Sequence, residues 1–335
     1  EYSPAHFNRR HWLSGFDGSA GTAAVTSEAA ALWTNSRYWL QAEAQLGPEW
    51  SLQREGRKGT PTLAQWLLAE AEGRKQEIVV GIDPEVHAAT AVEQLERAVE
   101  GSAVRIQALD PPNLVDAVWG AERPPLSECV VRPHTEWAGR TVEQKLRTLD
   151  KELREAGAAT LVVSELDQVC WLLNVRGWGD TPNTPVCRAY ALVQAVAGAT
   201  PVVSAFLEAE QLTMTEEAAA HLAGAGVEVH PYDAFLPALS SACDEGGGVW
   251  LDPARTNART HSTARAAGAT IVAKPSPLAV AKACKNGKEL EGMRACHHAD
   301  GAALARLFAW LEARMAAGDE VGEAEVVAAV SDFRR

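Results

Sequence analysis

The sequence predicts an α/β protein with two related domains in tandem, followed by a separate helical segment. Strand-like and helix-like segments alternate over most of the 335 residues. Trp12-Leu13 recurs as Trp171-Leu172 and Asp83-Pro84 recurs as Asp252-Pro253, at separations of 159 and 169 residues. Proline-rich stretches at Glu122–His134 and Ala273–Lys282 mark two boundaries. We therefore expect domains at residues 1–125, 126–275 and 276–335.

In the first domain, a glycine-rich stretch precedes two short apolar segments. LSGFDGSAGTAAVT, Leu13–Thr26, leads into the turn TSEA, and together they predict a β-hairpin. EIVVGI, Glu77–Ile82, predicts a strand that ends at Asp83-Pro84. In such a pair the aspartate suits a helix N-cap and the proline suits the first helical turn. We expect a purely structural role for this pair and for Asp252-Pro253.

The second domain shows the clearest periodicity. Apolar residues at helical spacing predict a helix over Thr141–Ala156, which Gly157 ends. ATLVVS, Ala159–Ser164, predicts a buried strand, and Asp167 is a candidate N-cap for the next helix. Further strands are predicted in CRAYALVQAV, TPVVSAF and VWL. In the third segment, a long helical stretch carries Leu290, Met293, Leu304, Leu307, Phe308 and Leu311.

Charge and cysteine content exclude several classes of protein. Lys and Arg total 31 against 44 Asp and Glu, and a net charge of −13 argues against nucleic-acid or anionic-lipid binding. No apolar run approaches the length of a membrane span, and EYSPAHFNRRHW lacks the apolar core of a signal peptide. The six cysteines form no CxxC pair, which favours reduced thiols in a cytoplasmic protein.

The glycine spacing at Gly15, Gly18 and Gly21 raises the question of a phosphate-binding loop. A dinucleotide loop reads GxGxxG and opens into a helix, whereas this stretch reads GxxGxxG and precedes strands. A P-loop needs Gly-Lys-Ser/Thr, and Gly21 is followed by Thr22 and Ala23. The glycines therefore indicate a backbone turn with no nucleotide.

Several long motifs resemble cytosolic-type Xaa-Pro aminopeptidase, also called aminopeptidase P. RRHWLSGFDGSAGTAAVT and ALWTNSRYWLQAEAQL are similar to the family's RRxFxSGFDGSAGTA and WTDGRYFLQA. The similarity continues in collinear order through Asn113–Pro125, Leu166–Gly177 and Ala279–Glu312.

The resemblance implies two creatinase-type N-terminal domains, each a mixed sheet with helices, and the first helices of a catalytic pita-bread domain. Family members remove an N-terminal residue that precedes proline. They use two divalent metal ions, usually manganese, held by two Asp, one His and two Glu of the third domain. Paired metals generate hydroxide at neutral pH and polarise the scissile carbonyl. The resemblance also implies a cytoplasmic homodimer, joined mainly through the third domain.

The ligand series Asp, Asp, His, Glu, Glu is not found in this sequence. Beyond Gly292 the only histidines are His297 and His298, and no later histidine follows an aspartate. The sequence also begins at Glu, without the further strand and helix that the resemblance implies before this position in the first domain, and it stops within SDFRR. We therefore expect a piece of a longer protein that has no catalytic residues, no metal site and no peptidase activity of its own. By itself we expect it to be monomeric.

Arg37 is the one substrate-binding residue that the resemblance implies. It matches the arginine of the family's TDGRY, which approaches the substrate end of the cleft, and a guanidinium can hold a carbonyl or carboxylate with a planar fork. Asn35 and Ser36 replace the family's Asp and Gly, which leaves a surface or capping role open. We expect Tyr38 and Trp39 to be core residues.

Two further questions concern the histidines and the class of protein. His297 and His298 are adjacent, so on a helix they point about 100° apart and do not suit one metal ion.

A chain of creatinase-type domains could also be a non-enzymatic binding or scaffold module. KNGKELEGMR favours the enzyme, because this segment opens a catalytic domain in the family.

Overall fold

The computed structural model describes residues 3–179, 181–208, 212–244 and 246–335. The chain forms two compact units. The first comprises the residues up to His134 and Arg140–Ala281, and the second comprises Thr135–Gly139 and Lys282–Arg335. The expected boundaries at 125 and 275 both lie within the first unit and stay a prediction.

Helices and strands alternate along the first unit, as the sequence predicts. The helices are α1 Arg9–Ser14, α2 Trp39–Gln45, α3 Leu63–Arg74, α4 Ala89–Val99, α5 Leu114–Trp119, α6 Val142–Ala156, α7 Leu166–Leu173, α8 Glu216–Gly224, α9 Phe235–Asp244, α10 Ala258–Ala266 and α11 Pro277–Ala283. The strands are β1 Thr22–Val25, β2 Ala30–Thr34, β3 Trp50–Arg54, β4 Ile78–Ile82, β5 Val104–Ala108, β6 Cys129–Pro133, β7 Ala158–Val163, β8 Val175–Trp178, β9 Ala189–Gln194, β10 Val202–Leu207, β11 Leu212–Met214, β12 Val227–Pro231, β13 Gly248–Leu251 and β14 Thr270–Ala273.

Strands β1 to β5 form two separate small sheets. In one, β2 pairs antiparallel with β1 and parallel with β3. In the other, β4 pairs parallel with β5. The predicted hairpin is confirmed, because Ala23 lies opposite Leu32 and Thr26 closes the turn by donating to Ala29.

Strands from the second half of the unit form one six-stranded mixed sheet. Its order is β12-β10-β9-β7-β13-β14, and β7 pairs antiparallel with β9 and parallel with β13. A smaller sheet has the order β11-β6-β8. The predicted strand ATLVVS is central in the large sheet, which explains why its residues are almost all buried.

The helix predicted over Thr141–Ala156 is confirmed, including both ends. Thr141 and Gln144 form a capping box, and Gly157 terminates the helix in the left-handed conformation. The expectation for Asp167 is wrong. Glu165 occupies the N-cap of α7, without a side-chain capping bond, and Asp167 lies in the first helical turn.

The expectation that each Asp-Pro pair caps and begins a helix is also wrong. Asp83 and Asp252 each accept a hydrogen bond from the amide two residues ahead, at 2.9 and 3.0 Å, and so form turns before the helices. The helices α4 and α10 begin later, with Ala88 and Asn257 at their N-caps.

These two turns pair with each other around a local two-fold arrangement. Ala89 N donates to Thr256 O and Ala258 N donates to His87 O, both at 2.9 Å. The second set, Thr90 N to Pro253 O and Arg259 N to Pro84 O, measures 3.1 and 3.0 Å. Donors and acceptors of the two turns are related by the same 169-residue separation as the Asp-Pro pairs. We call this contact the two-fold joint.

The second unit is a helical hairpin with a short segment against its start. Helix α12 spans Gly287–Ala316 and α13 spans Glu323–Arg334. Asn286 caps α12, and its side-chain amide donates to Trp137 O at 2.8 Å. Arg334 joins the two helices by an ion pair of 2.6 Å with Asp300. Within the described residues, no helix is long and apolar enough to cross a membrane.

Candidate functional site

Arg37 lies on the surface at the entry to α2. It belongs to a short 3-10 turn, Ser36–Tyr38, that Asn35 caps by accepting from the Arg37 amide at 3.2 Å. The Asn35 oxygen also accepts from Arg37 Nε at 3.3 Å, and the guanidinium lies over the Tyr38 ring at 5.2 Å. The two terminal nitrogens form no hydrogen bond with any described residue. One face of the guanidinium fork therefore remains open to a ligand.

Tyr38 and Trp39 are half-buried and anchor this turn. Tyr38 packs against the small core of Phe16, Leu32 and Ala42, and its hydroxyl pairs with Ser19 at 2.6 Å. Trp39 Nε1 donates to Thr34 O at 3.0 Å. The core role expected for the pair holds in part, because Tyr38 packs against this core whereas Trp39 is half-buried outside it.

The glycine stretch beside this turn is held by Arg10, a residue that the sequence reasoning missed. Arg10 donates to Gly21 O at 2.6 Å and to Gly18 O, and its guanidinium stacks over Phe16. A side chain on Gly21 would meet Trp33 O at 2.9 Å, so the close backbone approach requires glycine. The loop is a backbone turn, as predicted. The arginine pair in RRHW was the sequence feature that could have indicated a side chain holding it.

Asp17 connects this loop to α2. Its carboxylate accepts from Gln41 at 2.6 Å and from Gln45 at 2.7 Å. The hydrogen bonds from these amides lower the pKa of Asp17 from its ordinary value, and the bond from Gln45 has the largest effect. A cavity of about 310 Å³ lies over the loop, lined by Arg10, His11 and Asp17 among others, and the described residues that line it do not include Arg37.

The described residues offer no metal site. No group of three or more His, Cys, Asp or Glu side chains in the ranges 3–179, 181–208, 212–244 and 246–335 could hold a metal ion. His297 and His298 are adjacent and exposed on α12, and His297 Nδ1 pairs with Met293 O of its own helix at 3.0 Å. We derive no metal-dependent step from these residues.

Comparison with known proteins identifies the domains. The creatinase/prolidase N-terminal domain family matches residues 6–116 and, in a second form, residues 122–289. The chain belongs to this family. It contains two creatinase-type N-terminal domains with mixed α/β sheets, and the resemblance seen in the motifs is confirmed.

The chain is homologous to Xaa-Pro aminopeptidases along nearly its whole length. Aminopeptidase P2 of Arabidopsis thaliana is 36% identical and aligns with 100% of this chain and 49% of its own length. A probable Xaa-Pro aminopeptidase P of Penicillium rubens is 40% identical over 91% of this chain and 48% of its own. The creatinase-type chain therefore spans about half the length of these relatives.

A solved structure agrees with this assignment. The X-prolyl aminopeptidase of Caenorhabditis elegans, described as a cytosolic enzyme with a di-nuclear active site, matches at a TM-score of 0.85 and 31% identity. The match covers 99% of this chain and 53% of the worm protein.

Proposed function

We propose that this chain is the N-terminal part of an Xaa-Pro aminopeptidase, which hydrolyses the bond between an N-terminal residue and a following proline. The observation that carries the proposal is the collinear similarity over essentially the whole chain to enzymes of that name, together with the 0.85 TM-score to one of them. Fold alone would not support an activity, but close sequence similarity along the chain adds to it.

The catalytic metals of the full-length enzyme are proposed to be two manganese ions. The worm enzyme has a di-nuclear active site, whereas the described residues of this chain include no cluster that could bind a metal ion. The part described here would then shape the substrate cleft and assist assembly. We propose a cytoplasmic homodimer for the full-length protein and a monomer for this chain alone.

Arg37 is the proposed substrate-binding residue of this part. Its exposure and the open face of its guanidinium suit contact with a peptide carbonyl or carboxylate. Asn35 and Tyr38 fix the base of the side chain, so that its direction is limited before a ligand arrives.

The first test measures hydrolysis of Xaa-Pro peptides with added manganese. The full-length protein should show turnover that a chelator abolishes, and the chain 1–335 should show none. Clear turnover by the chain 1–335 would contradict the proposal that the catalytic metal site lies outside this chain. Absence of turnover by a correctly folded, metal-loaded full-length protein would instead favour a binding or scaffold module.

Replacement of Arg37 tests its role in the full-length enzyme. Arg37→Ala should lower kcat/KM by about 10- to 100-fold, because one charge-assisted contact is worth about 1.5–3 kcal/mol. Arg97→Ala is the matched control, since Arg97 is 71% exposed and, among the described residues, forms its ion pair with Glu93 of its own helix. If Arg37→Ala and Arg97→Ala had the same kcat/KM, Arg37 would be a capping residue without a role in substrate binding.

A further inference from the structure

Three of the six cysteines meet in the core of the second creatinase-type domain. Cys170 lies on α7, Cys187 lies two residues before β9, and Cys129 begins β6. All three belong to the same core cluster and are at most 2% exposed. No CxxC motif links them in the sequence, so the fold brings these thiols together.

The thiols of Cys170 and Cys187 are in direct contact. Their sulfur atoms lie 3.7 Å apart, within the distance of a sulfur hydrogen bond. A disulfide holds its two sulfurs about 2.05 Å apart. The pair would therefore form a covalent bond if the sulfurs approached each other by about 1.7 Å.

Cys129 is the third member of the cluster. Its Sγ lies 4.0 Å from Val186 O, next to Cys187 in the chain. A side chain on Gly177 would meet Cys129 Sγ at 2.7 Å and Cys187 Cβ at 2.8 Å. The two cysteines therefore pack against the same glycine of β8, and Cys129 is the alternative partner for Cys187 that a test has to distinguish.

Hydrogen bonding makes the two contacting thiols unequal. The hydrogen bond from Cys187 lowers the pKa of Cys170 against the effect of burial, and the charge of Arg176 acts in the same direction. The same bond raises the pKa of Cys187, and burial raises it further. Cys170 therefore ionises first and is the nucleophile of the pair.

We propose that Cys170 and Cys187 form an oxidisable thiol pair, which hydrogen peroxide converts into an intramolecular disulfide. The Cys170 sulfur attacks one peroxide oxygen, the O–O bond breaks, and a sulfenic acid and one water result. The Cys187 sulfur then attacks the sulfenic sulfur, the S–O bond breaks, and the S–S bond forms with release of a second water. The two thiols lose two electrons and two protons in total, and the peroxide takes up both.

Peroxide is the oxidant class that suits the position of this pair. Cys170 is 1% exposed and Cys187 is fully buried. A small uncharged molecule enters such an apolar core at a lower free-energy cost than a charged oxidant of the size of a peptide disulfide.

The disulfide would tie the end of α7 to the segment that leads into β9. The two cysteines are 17 residues apart, and β8 and the stretch TPNTP, residues 181–185, lie between them. Closing this loop restricts the unfolded chain. The oxidised form should therefore be more stable than the reduced form.

The test uses the chain 1–335 carrying Cys284→Ser and Cys296→Ser, which removes the two exposed thiols. The folded protein is treated with hydrogen peroxide and then denatured, and its remaining thiols are blocked with N-ethylmaleimide. Trypsin places the three clustered cysteines on separate peptides, 106–140, 155–176 and 177–188. Mass spectrometry should find 155–176 joined to 177–188, and a reductant should separate them. The melting temperature should rise by at least about 2 °C on oxidation and return on reduction.

Matched variants and an internal control separate the pair from general thiol oxidation. Cys187→Ala should abolish both the linked peptide and the rise in melting temperature, whereas Cys129→Ala should retain both. Cys243 is also buried but belongs to a different core cluster, so it should remain a thiol in the same samples. If Cys187→Ala fails to fold, the peptide linkage in the chain with Cys187 intact decides the question.

Three outcomes would overturn the proposal. The first is full labelling of Cys170 and Cys187 after peroxide treatment, and the second is a major link between 106–140 and 177–188. The third is oxidation of Cys243 as fast as that of the pair, which would show that contact between the thiols has no influence. None of these measurements depends on Xaa-Pro hydrolysis, so this proposal and the proposed function can fail separately.

Discussion

At the scale of single residues, Arg10 contributes most to the shape of the glycine stretch. One guanidinium satisfies the carbonyls of Gly18 and Gly21, and its Nε is buried without a partner among the described atoms. Arg9 beside it serves a different contact, a two-bond pair with Asp116 at 2.6 and 2.7 Å. Asp116 also pairs with Arg123 at 2.7 Å, so the RR pair ties α1 to two separate parts of its domain.

Replacing Arg10 should destabilise the first domain. Arg10→Met keeps the aliphatic stem but leaves two loop carbonyls without their donor, and we expect a loss of about 2 kcal/mol in the free energy of unfolding. Urea denaturation measures it. Arg97→Met, at an exposed position, should change stability by no more than about 0.5 kcal/mol. Similar effects of the two substitutions would show that Arg10 does not clamp the loop.

At the scale of elements, Asn257 has two tasks at the start of α10. Its side-chain oxygen accepts from Thr260 N at 2.8 Å, which caps the helix, and its amide donates to the Tyr190 hydroxyl at 3.0 Å. Tyr190 stacks on Phe235 with ring centroids 4.0 Å apart. The cap therefore connects α10 to the core of the six-stranded sheet.

Asn257→Ala should lower the free energy of unfolding by about 1–2 kcal/mol, because both bonds are lost. Asn257→Asp should cost less, since a carboxylate still caps the helix and can accept from the Tyr190 hydroxyl. Thermal unfolding of both variants, with Ser262→Ala on the same helix as a control, checks the order. If Asn257→Asp lost as much stability as Asn257→Ala, capping would not be the main contribution of Asn257 to stability.

At the scale of the whole first unit, the two-fold joint holds the two creatinase-type domains together. It combines four backbone hydrogen bonds with packing of α4 against α10, where His261 Nδ1 lies 3.8 Å from Glu93. Burial lowers the pKa of His87 from 6.5, and the nearby charge of Asp83 opposes this shift. Burial likewise lowers the pKa of His261 from 6.5. Glu93 opposes that shift, whereas Arg265 adds to it. The folded state therefore favours both histidines in their neutral form.

Stability should consequently fall as the pH drops below about 6.5, since the unfolded chain binds protons that the folded histidines resist. Melting temperatures recorded between pH 7.5 and 5 should decrease, and His87→Gln should reduce the slope. Carboxylates with lowered pKa values, such as Asp17, act in the same direction but at more acidic pH. A flat profile above pH 5 would contradict this account of the joint.

The sequence by itself determined the local structure and the family. The hairpin after the glycine stretch, the helix from Thr141 to Gly157 and the central strand ATLVVS follow from short-range patterns, because periodicity and capping depend on neighbours within a few residues. The motif similarity likewise identified two creatinase-type domains, and Arg37 remains the substrate-binding residue that it predicts.

The tertiary structure alone decided which distant groups meet. The Asp-Pro turns were expected to cap helices, but they pair with each other across 169 residues, and no local pattern encodes that register. Arg10 as a clamp of the glycine stretch is also a product of contacts between residues that are apart in sequence. A strand's sequence shows that it will be buried, but its partners depend on the arrangement of the whole sheet.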